Sequence, residues 1–142
     1  MKKEVIALRG KGKVGKSQTI CKTYYLLRNK HETAKREYEI LRKIDIRVII
    51  TINGVKIGIE SQGDPGGRLK KSLLLFVNVG CTIIICATRT SGQTVNVVND
   101  MQPNYEVLWL EQVVKLSESD QRVSNDAMAE RIVREVEKAM GA

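Results

Sequence analysis

Eight consecutive residues, Gly10-Lys11-Gly12-Lys13-Val14-Gly15-Lys16-Ser17, place three glycines, three lysines and a hydroxyl on the spacing G-x-x-x-x-G-K-S. A glycine-rich turn of this kind lets successive backbone N–H groups converge on phosphate oxygens, because glycine admits backbone conformations that side chains forbid. A helix starting at the end of the turn adds the positive end of its dipole. In that arrangement Lys16 reaches the β- and γ-phosphates of a nucleotide, and the Ser17 hydroxyl completes the coordination of Mg²⁺. Gly10, Lys11, Gly12, Lys13, Val14, Gly15, Lys16 and Ser17 are therefore the candidate nucleotide-binding residues, with Lys11 and Lys13 adding general attraction for a polyphosphate.

A phosphate site of this type also needs an acid at the end of a nearby strand. Residues 55–59 run into Glu60, followed by Ser61-Gln62-Gly63-Asp64. Two assignments follow: Glu60 is the metal-side acid together with Ser17, or Asp64 is that acid and Glu60 polarises the attacking water. The first is preferred because Glu60 ends the strand directly. Lys16, Glu60 and Asp64 are the candidate catalytic residues. Arg89, just beyond the apolar run 81–87, would stack on a base, contact phosphate as an arginine finger, or cap a loop.

These residues need elements to hold them. Residues 5–9 read as a buried strand before the glycine-rich turn, and residues 17–29 carry apolar positions at helical spacing. Residues 32–44 repeat the helical pattern at Ala34, Tyr38, Leu41 and Ile44, predicting a second helix. Asn53-Gly54 between two β-branched runs, 47–52 and 55–60, predicts a hairpin with a type I′ turn. Residues 61–67 read as loop, 68–79 as helix, 81–87 as buried strand, 94–101 as helix, 106–114 as strand and 125–140 as amphipathic helix. Alternating strands and helices over residues 1–142 predict one α/β domain, a three-layer sandwich with a mostly parallel sheet and one antiparallel edge strand.

A strand, the loop 10–17 and a helix in succession resemble the Walker A region of the P-loop NTPases, over residues 5–28. Lys11 makes the loop similar to the deviant form found in ParA and MinD type ATPases, in which the early lysine reaches across a dimer to a second nucleotide. Lys13 stands where that family usually has glycine. The resemblance implies a P-loop fold, ATP and Mg²⁺ as ligands, and a homodimer through Lys11 as one arrangement of partners. The run Glu60-Ser61-Gln62-Gly63 after a strand resembles the D-x-x-G loop of Ras-like and translation-factor GTPases, with Glu in place of Asp. Those GTPases also carry N-K-x-D after a later strand, whereas this chain has Thr88-Arg89-Thr90-Ser91 after residues 81–87. ATP rather than GTP is the expected nucleotide.

Composition bounds the remaining classes. The chain has 142 residues, 42% apolar and 28% charged, and a formal net charge of +8. Fourteen of the 24 Lys and Arg but only 5 of the 16 Asp and Glu fall within residues 1–47. A localised anion site fits that asymmetry better than a uniformly basic surface. No apolar run is long enough to span a membrane, and the first residues lack the pattern of a signal peptide, so a cytoplasmic location is expected. Cys21, Cys81 and Cys86 show no metal-binding or disulfide spacing and read as small core residues, His31 as a surface residue and Trp109 as core.

Three functions are compatible with the sequence. The first is Mg²⁺-dependent hydrolysis of ATP to ADP and phosphate. The second is a small-molecule or nucleotide kinase of the adenylate-kinase-like group, with residues 30–47 as acceptor-binding insert, Arg36, Arg42 and Arg47 as phosphate clamps and residues 89–93 as a rudimentary lid. The third is a nucleic-acid-associated module using the basic first third, although 4% aromatic residues leave little for base stacking.

Overall fold

The computed structural model describes residues 2–12, 15–63 and 65–141. Lys13, Val14 and Asp64, three of the candidate site residues, lie outside the described residues. The elements run β1 (Glu4–Arg9), α1 (Lys16–Lys30), β2 (Lys35–Arg42), β3 (Asp45–Ile52), β4 (Val55–Glu60), α2 (Arg68–Val79), β5 (Ile83–Thr88), α3 (Gln93–Asn99), β6 (Glu106–Glu111) and α4 (Glu118–Ala139). The strands form one six-stranded sheet in the order β2-β3-β4-β5-β1-β6. Strands β4, β5, β1 and β6 pair in parallel.

Their near-continuous burial explains the parallel core. Val5, Ile6, Ala7 and Leu8 of β1 and Ile83 to Ala87 of β5 are all fully enclosed, as strands covered on both faces must be. One face packs against Ile20, Tyr24 and Leu27 of α1 and Ile132 and Val136 of α4. The other packs against Leu69, Leu73 and Phe76 of α2 and Val98 of α3. Two apolar layers on opposite faces make the three-layer α/β sandwich expected from the alternation of elements.

Two expectations are corrected. Residues 32–44 do not form a helix: β2 occupies Lys35–Arg42 and joins β3 through the tight turn at Lys43 and Ile44, with Lys43 at φ 58°. The apolar spacing of Tyr38 and Leu41 suits a helix face equally well, but backbone pairing with the β-branched β3 satisfies the whole segment and overrides it. The antiparallel strand is likewise not the edge. β3 alone runs against the others and lies inside the sheet, antiparallel to both β2 and β4, and β2 forms the border.

The Asn53-Gly54 turn is as expected, with φ of 51° and 80° and Ile52 opposite Val55. Several ends move: β6 stops at Glu111, and α4 starts seven residues before Asn125, where Ser117 Oγ accepts from the Asp120 amide as an N-cap.

Candidate phosphate and nucleotide site

The site forms where two parallel strands hand the chain to opposite faces of the sheet. β1 leads into α1 on one face and its neighbour β5 leads toward α3 on the other, so a crevice opens beyond their carboxyl ends. Arg9 pairs with Thr88 at that end, and the Gly10 amide donates to the Thr88 carbonyl at 3.2 Å. The glycine-rich loop and the 88–92 segment therefore start side by side.

Lys16 is the first residue of α1 and is only 7% exposed. Its Nζ donates to the carbonyls of Gly10 at 2.5 Å and Thr88 at 2.6 Å, which holds a buried cation across the crevice. Gly15, just before it, has φ 84°, a left-handed conformation costly for residues with a Cβ. A Cβ at Gly15 would also collide with the Asn125 and Gln18 side chains. The first turn of α1 has neither a side-chain cap nor an acidic residue, so no side chain of its own offsets the positive end of the helix dipole. The Arg89 guanidinium lies over Gly12, within about 3 Å of where a Cβ would stand.

The loop after β4 forms the opposite wall. Ser17 Oγ donates to the Ser61 carbonyl at 3.1 Å, and Ser61 bonds back to Ile46 of β3 through its own amide and hydroxyl. Gly63 packs against the Ala87 carbonyl of β5, and a Cβ there would meet the backbone. The result is a cavity of about 320 Å³ lined by Gly12, Gly15, Lys16, Ser17, Ile44 and Gln62 among others. Ile44 comes from the β2–β3 turn, so the segment expected as a helix instead contributes a lip to the cavity.

Glu60 sits at the end of β4 inside a network of donors. Its carboxylate is fully buried, accepts a two-pronged pair of bonds from Arg68 at 3.0 and 3.1 Å, and also bonds Ser72 Oγ at 2.5 Å and Arg47 Nε at 3.3 Å. The Gln62 amide donates to it at 3.0 Å. With its oxygens engaged this way, Glu60 does not fit as a direct Mg²⁺ ligand; it anchors the 61–63 loop to α2 and the hairpin. Arg68 extends the network to Asp45 at 2.6 Å.

Ser17 does fit a Mg²⁺ ion. Its hydroxyl stands at the cavity edge on a single carbonyl, and Mg²⁺ commonly takes one or two protein oxygens beside phosphate and water. Lys11 is exposed and lines a separate depression with Glu111, Val113 and Val114 rather than the cavity beside Lys16.

Gln62 lines the cavity, and no spacing rule in the sequence sets it apart from Glu60 and Asp64 on either side. The pairing of His31 Nε2 with Glu137 Oε2 at 3.1 Å was missed because no short-range pattern links helices 106 residues apart. The cysteines are buried, and burial pushes the Cys81 and Cys86 thiols up to about 12, away from thiolate chemistry. A cavity of about 750 Å³ lies at the other end of the sheet, away from the glycine-rich loop, lined by Lys2, Glu4, Glu106, Glu135 and Lys138 among others.

No family model matches the chain, and neither the curated proteins nor the solved structures contain a significant match. No helix among the described residues is long and apolar enough to cross a membrane.

Proposed function

We propose that this chain is a P-loop nucleotide-binding protein that takes ATP with Mg²⁺ and hydrolyses it to ADP and phosphate in the cytoplasm. The observation that carries the reading is Lys16: a buried cation held by two carbonyls at the crevice between β1 and β5, directly behind a left-handed glycine and an open helix N-terminus. Phosphate oxygens are better partners for an ammonium than neutral carbonyls, so an incoming polyphosphate draws Lys16 forward from that resting position.

Ser17 is the protein oxygen available to Mg²⁺, which when bound neutralises charge on the β- and γ-phosphates. Gln62, on a loop anchored by Glu60, is the side chain best placed at the cavity to orient an attacking water. Arg89, stacked on Gly12 beside the loop, supplies a second positive charge within the same chain.

Hydrolysis is favoured over phosphoryl transfer because residues 30–47 build β2 and the start of β3, leaving no separate acceptor-binding insert there. A nucleic-acid role has less support, since Lys30, Arg36 and Arg47 are paired with Glu137, Glu39 and Glu60.

Calorimetry and phosphate release test the proposal. Wild-type protein should bind Mg·ATP and release phosphate steadily, and Lys16→Ala should weaken both on the order of 10²-fold. Absence of ATP binding by the wild type would sink it.

A further inference from the structure

We infer that the nucleoside half of the substrate is bound in a cleft between the first turn of α1 and the first turns of α4, with Gln18, Arg122 and Asp126 as its recognition groups; this rests on the phosphate site proposed above. A cavity of about 490 Å³ opens there, lined by Gly15, Gln18, Glu118, Arg122, Asn125 and Asp126 along with Gln121. It shares Gly15 and Gln18 with the cavity at Lys16, so the two cavities are immediate neighbours. Its volume lies within the ~300–1,000 Å³ typical of small-molecule sites.

The floor is built and rigid. Asn125 is 8% exposed, and its Oδ1 accepts from both Gln112 Nε2 and Gln121 Nε2, the latter at 2.9 Å. With its oxygen committed to two donors, its Nδ2 is turned toward Gly15 of the phosphate loop. The Gln112 amide donates to the Arg9 carbonyl at 2.8 Å, and Thr19 Oγ1 donates to Gln112 Oε1 at 3.2 Å. The amide network therefore ties the cleft to β1 and α1, the two elements that flank the phosphate loop.

The walls carry uncommitted chemistry. Glu118, Arg122 and Asp126 recur every four residues along α4, yet no ion pair within 4 Å joins them among the described residues. The Gln18 amide both donates and accepts, which matches the adjacent amino group and ring nitrogen of adenine. Asp126 accepts from amino or ribose hydroxyl groups, and Arg122 stacks or donates. The other depression beside the loop offers Glu111 and exposed Val113 and Val114 instead, and Arg89 covers Gly12 on the third side.

The test compares Mg·ATP with Mg·tripolyphosphate, which lacks a nucleoside, by calorimetry on wild type and on the Arg122→Ala/Asp126→Ala double variant. Both residues are exposed and the double change leaves net charge unaltered, so phosphate attraction is preserved. Wild type should bind ATP about tenfold or more tighter than tripolyphosphate, a margin of one or two hydrogen-bonded contacts. The double variant should lose that margin while its tripolyphosphate affinity stays unchanged. Equal wild-type affinity for both ligands, unchanged ATP affinity in the variant, or equal weakening of both ligands would overturn the cleft and leave the phosphate site standing. Failure of either ligand to bind wild type would overturn the phosphate site and the cleft with it.

Discussion

A carboxylate at the end of a strand beside a glycine-rich loop invites a metal, but Glu60 is surrounded by donors from its own chain. Arg68, Arg47, Ser72 and the Gln62 backbone amide all point at it, and the carboxylate itself is fully buried while the two arginines are partly exposed. Removing the charge leaves two guanidiniums around a neutral amide, and breaking one side of a buried pair is strongly destabilising. Glu60→Gln should therefore lower stability on the order of 3 kcal/mol in the absence of any nucleotide, as read by urea denaturation. A stability unchanged from wild type, with loss confined to Mg²⁺ dependence, would return Glu60 to the metal. The glycine turn before α1 was legible in the sequence, because Gly15 at φ 84° answers a local geometric demand. The partners of Glu60 were not, since Arg68 and Arg47 stand on separate elements and no spacing rule joins them.

At the scale of elements, β2 shows why a helical pattern can mislead. Glu39 accepts from the Tyr24 hydroxyl of α1 at 2.7 Å and Thr51 Oγ1 donates to Glu37 at 3.0 Å, contacts that exist only once β2 lies along β3. The hairpin β3–β4 was legible because Asn-Gly accepts two positive φ values in succession, a demand carried by the residues themselves. The end of α1 meets α4 through Glu137, whose carboxyl lies below its ordinary range because Lys30 and, to a lesser degree, His31 hydrogen-bond to it. A lowered carboxylate pKa stabilises the folded state above the unfolded value of ~4.3, and that contribution fades as pH falls through the folded pKa. Glu137→Gln should consequently flatten the loss of stability with acid below about pH 4.5, measured as the thermal midpoint against pH. An unchanged slope would place this contact outside the folding balance.

For the whole molecule, the two apolar layers and the parallel strands make one cooperative unit around a crevice open at one end. A ligand that binds only the folded state raises its stability by mass action. At one hundred times its Kd, Mg·ATP should contribute about 2.7 kcal/mol and raise Tm on the order of 8 °C in differential scanning fluorimetry. Lys16→Ala should abolish the shift and also lower the ligand-free Tm, because the buried Gly10 and Thr88 carbonyls lose the Lys16 donor. A shift of equal size in Lys16→Ala would place the nucleotide elsewhere.

By itself the sequence determined the glycine-rich turn between β1 and α1, the strand and helix that flank it, the Asn-Gly hairpin and the alternation that makes an α/β sandwich. Each of these is a local matter: a φ that only glycine accepts, or an apolar period read within one element. Tertiary structure alone decided that β5 lies between β1 and β4, that Thr88 supplies a carbonyl to Lys16 and Arg89 covers Gly12, and that Glu60 anchors a loop. It also brought Asn125, more than a hundred residues away in sequence, against Gly15. Those pairings depend on which strands become neighbours and which helices share a face, and that choice is made by burying the sheet on both sides at once.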